Sequence, residues 1–255
     1  MTPNWSGIDS RSAAGQLLRL PLRCLPSRLV VPILSGPSRG LRWRTGAFDH
    51  GCWLGSFEIE KQQLIRDRVR EGMTVFDIGA HVGFYTLLLS RAVGDSGNVF
   101  AFEPWPANVS DCIAHVQMNH LRNVVVVPAA VGNASGLASF ASGKSSSTGG
   151  LAQDDTAVRV ACFTLDELLA TGRFLVPDVI KVDVEGAESQ VLEGAQALLR
   201  QRAPTWFIAL HSADQKQACL RLLADAGYAV SGLNGEPCDP RLPSAAPDEI
   251  IATRG

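Results

Sequence analysis

Apolar segments alternate with amphipathic segments along most of the chain, and this alternation predicts an α/β protein. From residue 73 onward, short apolar runs rich in β-branched and aromatic residues have the composition of buried strands, and longer segments with helical spacing separate them. The predicted strands are 73–78, 98–102, 124–127, 178–183 and 205–210, and the predicted helices are 57–69, 83–93, 106–119, 187–200 and 214–226. Strands that alternate with helices form a mostly parallel sheet with helices on both faces.

Two pairs of predicted strands depart from this rhythm. Residues 228–232 and 249–252 are joined by a Pro-rich turn and predict an antiparallel hairpin at the sheet edge. Residues 137–141 and 158–163 flank a Ser/Gly-rich loop, 142–150, which indicates a hairpin insertion or a mobile lid. The predicted fold class is therefore α/β: a Rossmann-like, doubly wound, mostly parallel seven-stranded sheet with an antiparallel C-terminal edge hairpin and a small β insertion.

Length and composition favour one large domain, although two small ones would also fit. The 255 residues are 46% hydrophobic, and residues 1–40 are rich in Pro, Ser, Gly and Arg. We expect an irregular N-terminal extension over 1–40 and one catalytic or binding domain over 41–255. The 23 basic and 25 acidic residues nearly balance, which argues against a nucleic-acid partner.

The cysteines and the lengths of the apolar runs indicate in which cellular compartment the protein is expected. The six cysteines contain no C-x-x-C pair and lie mainly in apolar segments, which favours reduced thiols and a cytoplasmic location over a zinc site or disulfides. No run of 18 apolar residues occurs, so we expect no stable membrane insertion. The basic and apolar residues of 17–34 are interrupted by prolines, which favours an irregular arm over a membrane-surface helix.

The strand-turn-helix that begins at residue 75 contains the first candidate binding motif. Its turn reads Asp77-Ile78-Gly79-Ala80-His81-Val82-Gly83, a G-x-x-x-G spacing and not the G-x-G-x-x-G of dinucleotide binders. Glycines at a strand end leave room for a ligand beside the free N–H groups of the next helix. Asp77 would repel a pyrophosphate but suits an ammonium group. S-adenosylmethionine carries an ammonium, a sulfonium and a carboxylate, and so fits this turn.

A second acidic residue strengthens this interpretation. Glu103 ends the second predicted strand of the rhythm, 20 residues after Gly83. An acidic residue at about this separation accepts hydrogen bonds from ribose hydroxyls in Rossmann-like sites. The alternative is a glycine turn in a non-binding α/β domain with a chance glutamate.

Further blocks extend these motifs into a resemblance. Over about residues 41–232 the chain resembles the FkbM-type S-adenosylmethionine-dependent methyltransferases. The residues that carry the resemblance are Trp53-Leu54-Gly55-Ser56-Phe57-Glu58, Asp77 to Thr86, Phe102-Glu103-Pro104, Ala129-Ala130-Val131-Gly132, Thr164-Leu165-Asp166-Glu167 and, most specifically, Ile180-Lys181-Val182-Asp183-Val184-Glu185-Gly186-Ala187-Glu188. The chain departs from the family at His81, where members usually have Asn, and at Ala209, where they often have Glu.

The resemblance implies O-methylation of a hydroxyl on a sugar, a polyketide or a similar small molecule. It also implies that S-adenosylmethionine is the cofactor. The residues of this chain that it places at the cofactor are Asp77, Gly79, Ala80, His81, Gly83, Glu103, Pro104, Ala130 and Asp183.

The candidate catalytic residues follow two later strands. Lys181, Asp183 and Glu185 alternate at a strand end and should share one face, and His211 follows the next strand. A hydroxyl nucleophile needs a base, and we expect Asp183 or His211 to serve, with Lys181 and Glu185 orienting the acceptor. An internal ion pair and a surface histidine are the structural alternatives. These side chains could also hold a divalent metal, but no dedicated ligand spacing supports one, so no metal site is predicted.

The sequence leaves two other functional interpretations of the site open. A nicotinamide-dependent oxidoreductase conflicts with the missing dinucleotide motif and with Asp77. A non-catalytic nucleotide-binding domain on the same scaffold conflicts with the charged residues at the strand ends.

Glu58 either reaches over the cofactor or is a solvated acid at a helix N-terminus. The expected partner is a small hydroxyl acceptor whose identity is not readable, and the oligomeric state is open.

Overall fold

The computed structural model describes residues 26–141, 150–151 and 158–255. Its strands are β1 (Val30–Pro32), β2 (Arg42–Arg44), β3 (Thr74–Ile78), β4 (Asn98–Phe102), β5 (Val124–Val127), β6 (Ala130–Val131), β7 (Gly136–Ala141), β8 (Gly150–Leu151), β9 (Val158–Phe163), β10 (Val179–Val182), β11 (Thr205–Ala209), β12 (Ala229–Gly232) and β13 (Glu249–Thr253). Its helices are α1 (His50–Leu54), α2 (Ile59–Arg68), α3 (Phe84–Val93), α4 (Pro106–Met118), α5 (Leu165–Ala170), α6 (Glu188–Glu193), α7 (Gln196–Gln201) and α8 (Ala213–Asp225), with a 3₁₀ turn at Pro243–Ala245.

A seven-stranded sheet in the order β12-β13-β11-β10-β3-β4-β5 forms the centre of the molecule. The five strands from β11 to β5 are parallel, and β13 runs antiparallel to both of its neighbours. The predicted fold class, including the C-terminal hairpin, is confirmed. The chain adds β4 and β5 on one side of β3 and later returns to add β10 on the other, so a topological switch point lies between β3 and β10.

The predicted β insertion is also confirmed. It is a four-stranded sheet in the order β6-β9-β7-β8, in which β9 pairs antiparallel with β7 and parallel with β6. Residues 142–149 lie outside the described residues, so the lid stays a prediction.

Apolar residues cover both faces of the large sheet, as its nearly continuous hydrophobic strands predict. On one face, Phe76, Ile180 and Trp206 join a fully buried cluster with helices α6 to α8. On the other, Val75 and Phe207 pack with α3 and the N-terminal elements. This two-sided core fixes the strand ends and therefore the side chains that follow them.

The predicted helix over 187–200 is wrong as a single helix, because the structure breaks it into α6 and α7. At the break, a β-carbon on Gly194 would lie 2.0 Å from the carbonyl oxygen of Gly132, so a side chain there would clash with the backbone. Asp166 then accepts hydrogen bonds from the amides of Ala197 and Leu198, at 2.8 and 3.0 Å, and starts the second helix. Gly132 and Asp166, which cause the break, both lie far from it in the sequence.

The described part of the predicted irregular extension contains one regular element. Strand β1 pairs antiparallel with β2, and both Ile33, directly after β1, and Trp43, within β2, are buried. Trp43 stacks on His115 of α4 with ring centroids 4.0 Å apart. Residues 30–44 thus pack on the domain, and the boundary at residue 41 stays a prediction.

Two further predictions concern the thiols and the membrane. Among the described cysteines, Cys52, Cys112, Cys162 and Cys219 are buried thiols and Cys238 is partly exposed, and none forms a disulfide. Cys24 lies outside the described residues. Within the described ranges, the helices are too short or too polar to cross a bilayer.

Candidate functional site

A pocket opens at the carboxyl ends of the parallel strands, next to the switch point between β3 and β10. Ligands of open α/β sheets bind at this position. The predicted site residues that line the pocket are Gly79, Ala80, His81, Glu103, Pro104, Ala130, Lys181, Asp183, Glu185 and His211. The fold therefore brings most of the predicted residues together from the ends of β3, β4, β10 and β11, and Ala130 joins them from β6.

The structure does not place Asp77 and Gly83 in the pocket lining. The carboxylate of Asp77 is fully buried in β3, where it accepts hydrogen bonds from Lys181 Nζ at 3.0 Å and from Thr86 Oγ1 at 2.7 Å. Gly83 has φ +89° and turns the chain into α3 close to Cys112 of α4. Both residues lie behind the turn that forms the pocket wall.

Lys181 supports this turn from the neighbouring strand. Besides Asp77, its ammonium donates to the carbonyl oxygen of Gly79 at 3.1 Å, and the side chain is buried. Burial alone would lower the pKa of Lys181, but the carboxylates of Asp77 and Asp183 raise it above its usual value. The ammonium is thus held as a cation beneath the turn, with its hydrogen bonds directed to protein atoms.

Gly79 makes a close approach that only glycine permits. Its φ is +76°, and a β-carbon at this position would lie 1.8 Å from the carbonyl oxygen of Asp183. The turn after β3 and the turn after β10 are consequently in backbone contact at the floor of the pocket.

Glu103 bridges two backbone segments of the pocket. Its carboxylate accepts hydrogen bonds from the amides of His81 and Trp105, both at 2.8 Å, and from the side chain of Asn108 at 3.3 Å. Burial raises the pKa of Glu103, while these donors act in the opposite direction. A carboxylate has about four acceptor positions, so one is left for a ligand hydroxyl.

His81 has an unusual conformation within the turn. Its φ is +51°, and its ring packs edge-on against Phe48 at a centroid distance of 4.8 Å. Burial and then the cation of Lys181 lower the pKa of His81 to about 4. The ring is therefore neutral at neutral pH.

Asp183, Glu185 and His211 form a cluster within the pocket lining. His211 Nε2 lies 3.4 Å from Asp183 Oδ1 and 3.6 Å from Glu185 Oε2. Glu185 has a left-handed φ of +55°, so the predicted strand alternation ends at Val182. Burial would raise the pKa of Asp183, but Lys181 and Lys61 hold it below its usual value.

The spacing within the same cluster is relevant to the prediction that the protein has no metal site. One ligand atom from each of the three side chains lies within 4.8 Å of the others, a separation that one cation could span. The predicted absence of a metal stays a prediction.

Glu188 is a site residue that the sequence analysis did not select. It is fully buried at the start of α6, and its Oε1 lies 2.7 Å from Nδ1 of His211. The hydrogen bond to Glu188 is the main reason that the pKa of His211 is raised to about 9, and the charges of Asp183 and Glu185 add to it. The available signal was the second acid of the Glu185-Gly186-Ala187-Glu188 segment, directly after a glycine turn.

A second group of charged residues contributes to the pocket lining. Glu58 accepts a hydrogen bond from the hydroxyl of Tyr85 at 2.5 Å, and Lys61 Nζ lies 3.5 Å from Glu58 and 2.5 Å from Glu249. Glu58, Tyr85 and Glu249 all line the pocket. Nothing in the sequence pattern connects Glu249 to this site, because it reaches the pocket on the last strand.

Carboxylates outnumber cationic side chains around the pocket. The acidic residues that line it are Glu58, Glu103, Asp183, Glu185 and Glu249. The only lysine or arginine among the described lining residues is Lys181, whose ammonium is already engaged. This balance favours a ligand with positive charge over one with a pyrophosphate.

Comparisons with known proteins agree with this arrangement. The Methyltransferase FkbM domain matches residues 77–230 of the chain. The hexuronic acid methyltransferase AglP of Haloferax volcanii is 26% identical over 165 residues, which are 64% of this chain and 66% of that protein. The chain thus aligns with slightly less than two thirds of that relative's length.

A solved structure shares the fold. The crystal structure of Methyltransferase FkbM from Methylobacillus flagellatus KT superimposes with a TM-score of 0.50 at 16% identity, over 71% of this chain and 43% of that chain. The sheet order, the pocket at the switch point and the match over residues 77–230 together show that this chain belongs to the FkbM methyltransferase family.

Proposed function

We propose that the protein transfers the methyl group of S-adenosylmethionine to a hydroxyl of a sugar or a related small molecule. The observation that carries the proposal is one pocket that is lined by two groups of residues. The Gly79 turn and Glu103 belong to the first group, and Asp183, Glu185 and His211 belong to the second. A cofactor held by the first group and by Asp183 has Glu185 and His211 within reach of its acceptor.

The described residues fit the chemistry of this cofactor. S-adenosylmethionine carries a sulfonium and an ammonium, which suit the acid-rich lining. Glu103 keeps about one acceptor position for a ribose hydroxyl, and its contacts with His81 and Trp105 fix its position. When bound, the cofactor supplies an electrophilic methyl group. In this proposal Asp77 and Gly83 support the turn from behind, while Gly79, Ala80, His81, Pro104, Ala130 and Asp183 line the cofactor side.

Methyl transfer to a hydroxyl forms one O–C bond and breaks one C–S bond. The electron pair of the C–S bond goes to sulfur, and the hydroxyl loses its proton. Holding the two reactants in line can supply about 7–11 kcal/mol of the barrier reduction, so positioning is the main task of the pocket.

His211 is the proposed proton acceptor for this step. Its neutral ring has a basic nitrogen to offer, whereas the low pKa of Asp183 makes that carboxylate a weak base. Nε2 is the ring nitrogen that faces the other two members of the cluster, at 3.4 and 3.6 Å. Asp183 and Glu185 would orient the acceptor and stabilise the imidazolium. Lys181 is assigned to the Gly79 turn and not to the acceptor, because its ammonium contacts Asp77 and Gly79.

The proposed class of acceptor is based on the name of one relative. The curated relative is named a hexuronic acid methyltransferase, so sugar acids are the first acceptors to test.

Two measurements test the proposal. Calorimetry should show binding of S-adenosylmethionine and S-adenosylhomocysteine but not of NADH or NADPH. Labelled cofactor should then transfer its methyl group to a sugar acid, with a loss of about 10²–10⁴-fold in His211→Ala if the histidine is the base. The matched control is His120→Ala, a histidine in the turn after α4 that does not line the pocket. Absence of cofactor binding, or full activity of His211→Ala, would contradict the assignment.

A further inference from the structure

Glu188 is a fully buried carboxylate that lies one residue layer behind the proposed base. Its Oε1 accepts a hydrogen bond from the amide of Gly186 at 2.9 Å and faces His211 Nδ1 at 2.7 Å. Its Oε2 is buried and has no hydrogen-bond partner among the described residues. A buried carboxylate is costly without a paired charge, so the contact with His211 is the interaction that compensates for its burial.

We propose that Glu188 is a positioning residue that keeps the proton of the neutral His211 ring on Nδ1 and thereby presents a free Nε2 to the acceptor hydroxyl. The inference rests on the proposed function, because it assigns how the proposed base is held ready. Glu188 does not line the pocket and would act only through His211.

The geometry around His211 explains why its tautomer needs to be controlled. Nε2 faces two carboxylates, Asp183 and Glu185, at 3.4 and 3.6 Å, and their negative charge favours hydrogen on Nε2. In a neutral imidazole only one nitrogen carries hydrogen. Without Glu188, the ring would favour Nε2–H and lose the lone pair that the reaction needs. Glu188 prevents this because its contact is shorter and lies in the buried, lower-dielectric interior.

Every charged group that contacts His211 in the described structure is acidic. Glu188 approaches from the start of α6, and Asp183 and Glu185 approach from the turn after β10. Together they hold the pKa of His211 at about 9, with the Glu188 hydrogen bond as the largest contribution. At neutral pH most His211 rings therefore carry two protons, and the fraction of neutral, basic rings rises with pH up to about 9.

Replacing Glu188 by glutamine separates its charge from its hydrogen bond. The amide of Gly186 donates to the same oxygen that faces Nδ1, so a glutamine would keep its oxygen there and its NH₂ group at the unpartnered Oε2 position. Glu188→Gln should preserve the Nδ1–H tautomer but lower the pKa of His211. Glu188→Met removes both effects.

The test is ¹⁵N NMR of His211 in the free protein, combined with the pH profile of kcat. In the wild type, the ring should titrate near pH 9 and its neutral form should carry hydrogen on Nδ1. Glu188→Gln should shift the titration and the kcat midpoint down by at least one pH unit. Glu188→Met should reduce the alkaline plateau of kcat about 10²-fold or more, and Glu188→Asp should partly restore it.

Glu193→Gln is the matched control, since Glu193 is an exposed glutamate on the same helix that pairs with Asn133. An Nε2–H tautomer in the wild type, or an unchanged His211 pKa in Glu188→Gln, overturns the positioning role. The NMR readings do not require turnover. If they appear as expected while no methyl transfer occurs, the proposed function fails and the control of the tautomer stands. If Glu188→Met does not fold, the wild type and Glu188→Gln decide the question.

Discussion

Lys181 and Asp77 occupy paired positions on adjacent strands, and Lys181 Nζ lies 3.0 Å from Asp77 Oδ1 with both side chains buried. Removing one partner of a buried ion pair leaves an uncompensated charge. We therefore expect Asp77→Asn and Lys181→Met each to lower the free energy of unfolding by about 3–5 kcal/mol, and the double variant to lose less than the sum. Urea denaturation of the four proteins measures this cycle.

The control for this cycle is Asp67→Asn, which breaks an exposed pair with Arg66. Exposed ion pairs contribute about 0–1 kcal/mol, so its unfolding curve should nearly coincide with that of the wild type. Losses below 1 kcal/mol in both buried variants would show that the pair does not stabilise the sheet.

Gly79→Ala should disturb both stability and cofactor binding. Gly79 and Gly235 have similar left-handed φ values, +76° and +83°, but only at Gly79 would a β-carbon meet backbone, 1.8 Å from the oxygen of Asp183. Gly235→Ala should therefore cost only the conformational penalty of about 1–2 kcal/mol. Gly79→Ala should add about 1–3 kcal/mol of overpacking and weaken the affinity for S-adenosylmethionine. Equal losses in the two variants, measured by denaturation and calorimetry, would refute the close contact.

His81 should make stability fall as the solution becomes acidic. The pKa of His81 is about 4 in the folded protein and about 6.5 in an unfolded chain. Above pH 6.5 neither state binds the proton, so the full stability is present. Between pH 6.5 and 4 the unfolded chain binds it and the folded protein does not, so the free energy of unfolding decreases.

The variant His81→Asn removes this dependence, and asparagine tolerates the left-handed conformation of this position. The wild type should lose more unfolding free energy than His81→Asn between pH 7 and 4.5, while the difference is constant above pH 7. The pKa of His115 is also lowered by burial, but His115 is common to both proteins and cancels in the comparison. Parallel pH curves would argue against a buried, neutral His81.

The elements of the large sheet could be predicted because their signals are local. Continuous apolar runs such as 124–127 mark buried strands, and β5 has these bounds in the structure. The spacing of Gly83 and Glu103 likewise indicates a nucleoside pocket, because strand ends in a parallel sheet meet at one edge. For the same reason, Asp183 and His211 could be expected near each other.

Other features depend on contacts that no local pattern contains. The partner of Asp77 is Lys181 on a strand formed about a hundred residues later, so its carboxylate faces the interior and not the pocket. The break between α6 and α7 follows from the approach of Gly194 to the backbone of Gly132. Glu188 looks like an ordinary acid in a first helical turn until the fold places it against His211.

Strand β13 has a consequence for how the protein forms during synthesis. It inserts between β11 and β12 and brings Glu249 to the pocket, although every other pocket residue precedes it in the sequence. On a ribosome, the Gly79 turn, Glu103 and His211 all emerge before the strand that completes their sheet. Until β13 inserts, one edge of β11 is unpaired and can bind another strand. Cofactor therefore cannot stabilise the nascent domain through its complete site, and the edge of β11 is open to misassembly until β13 has emerged.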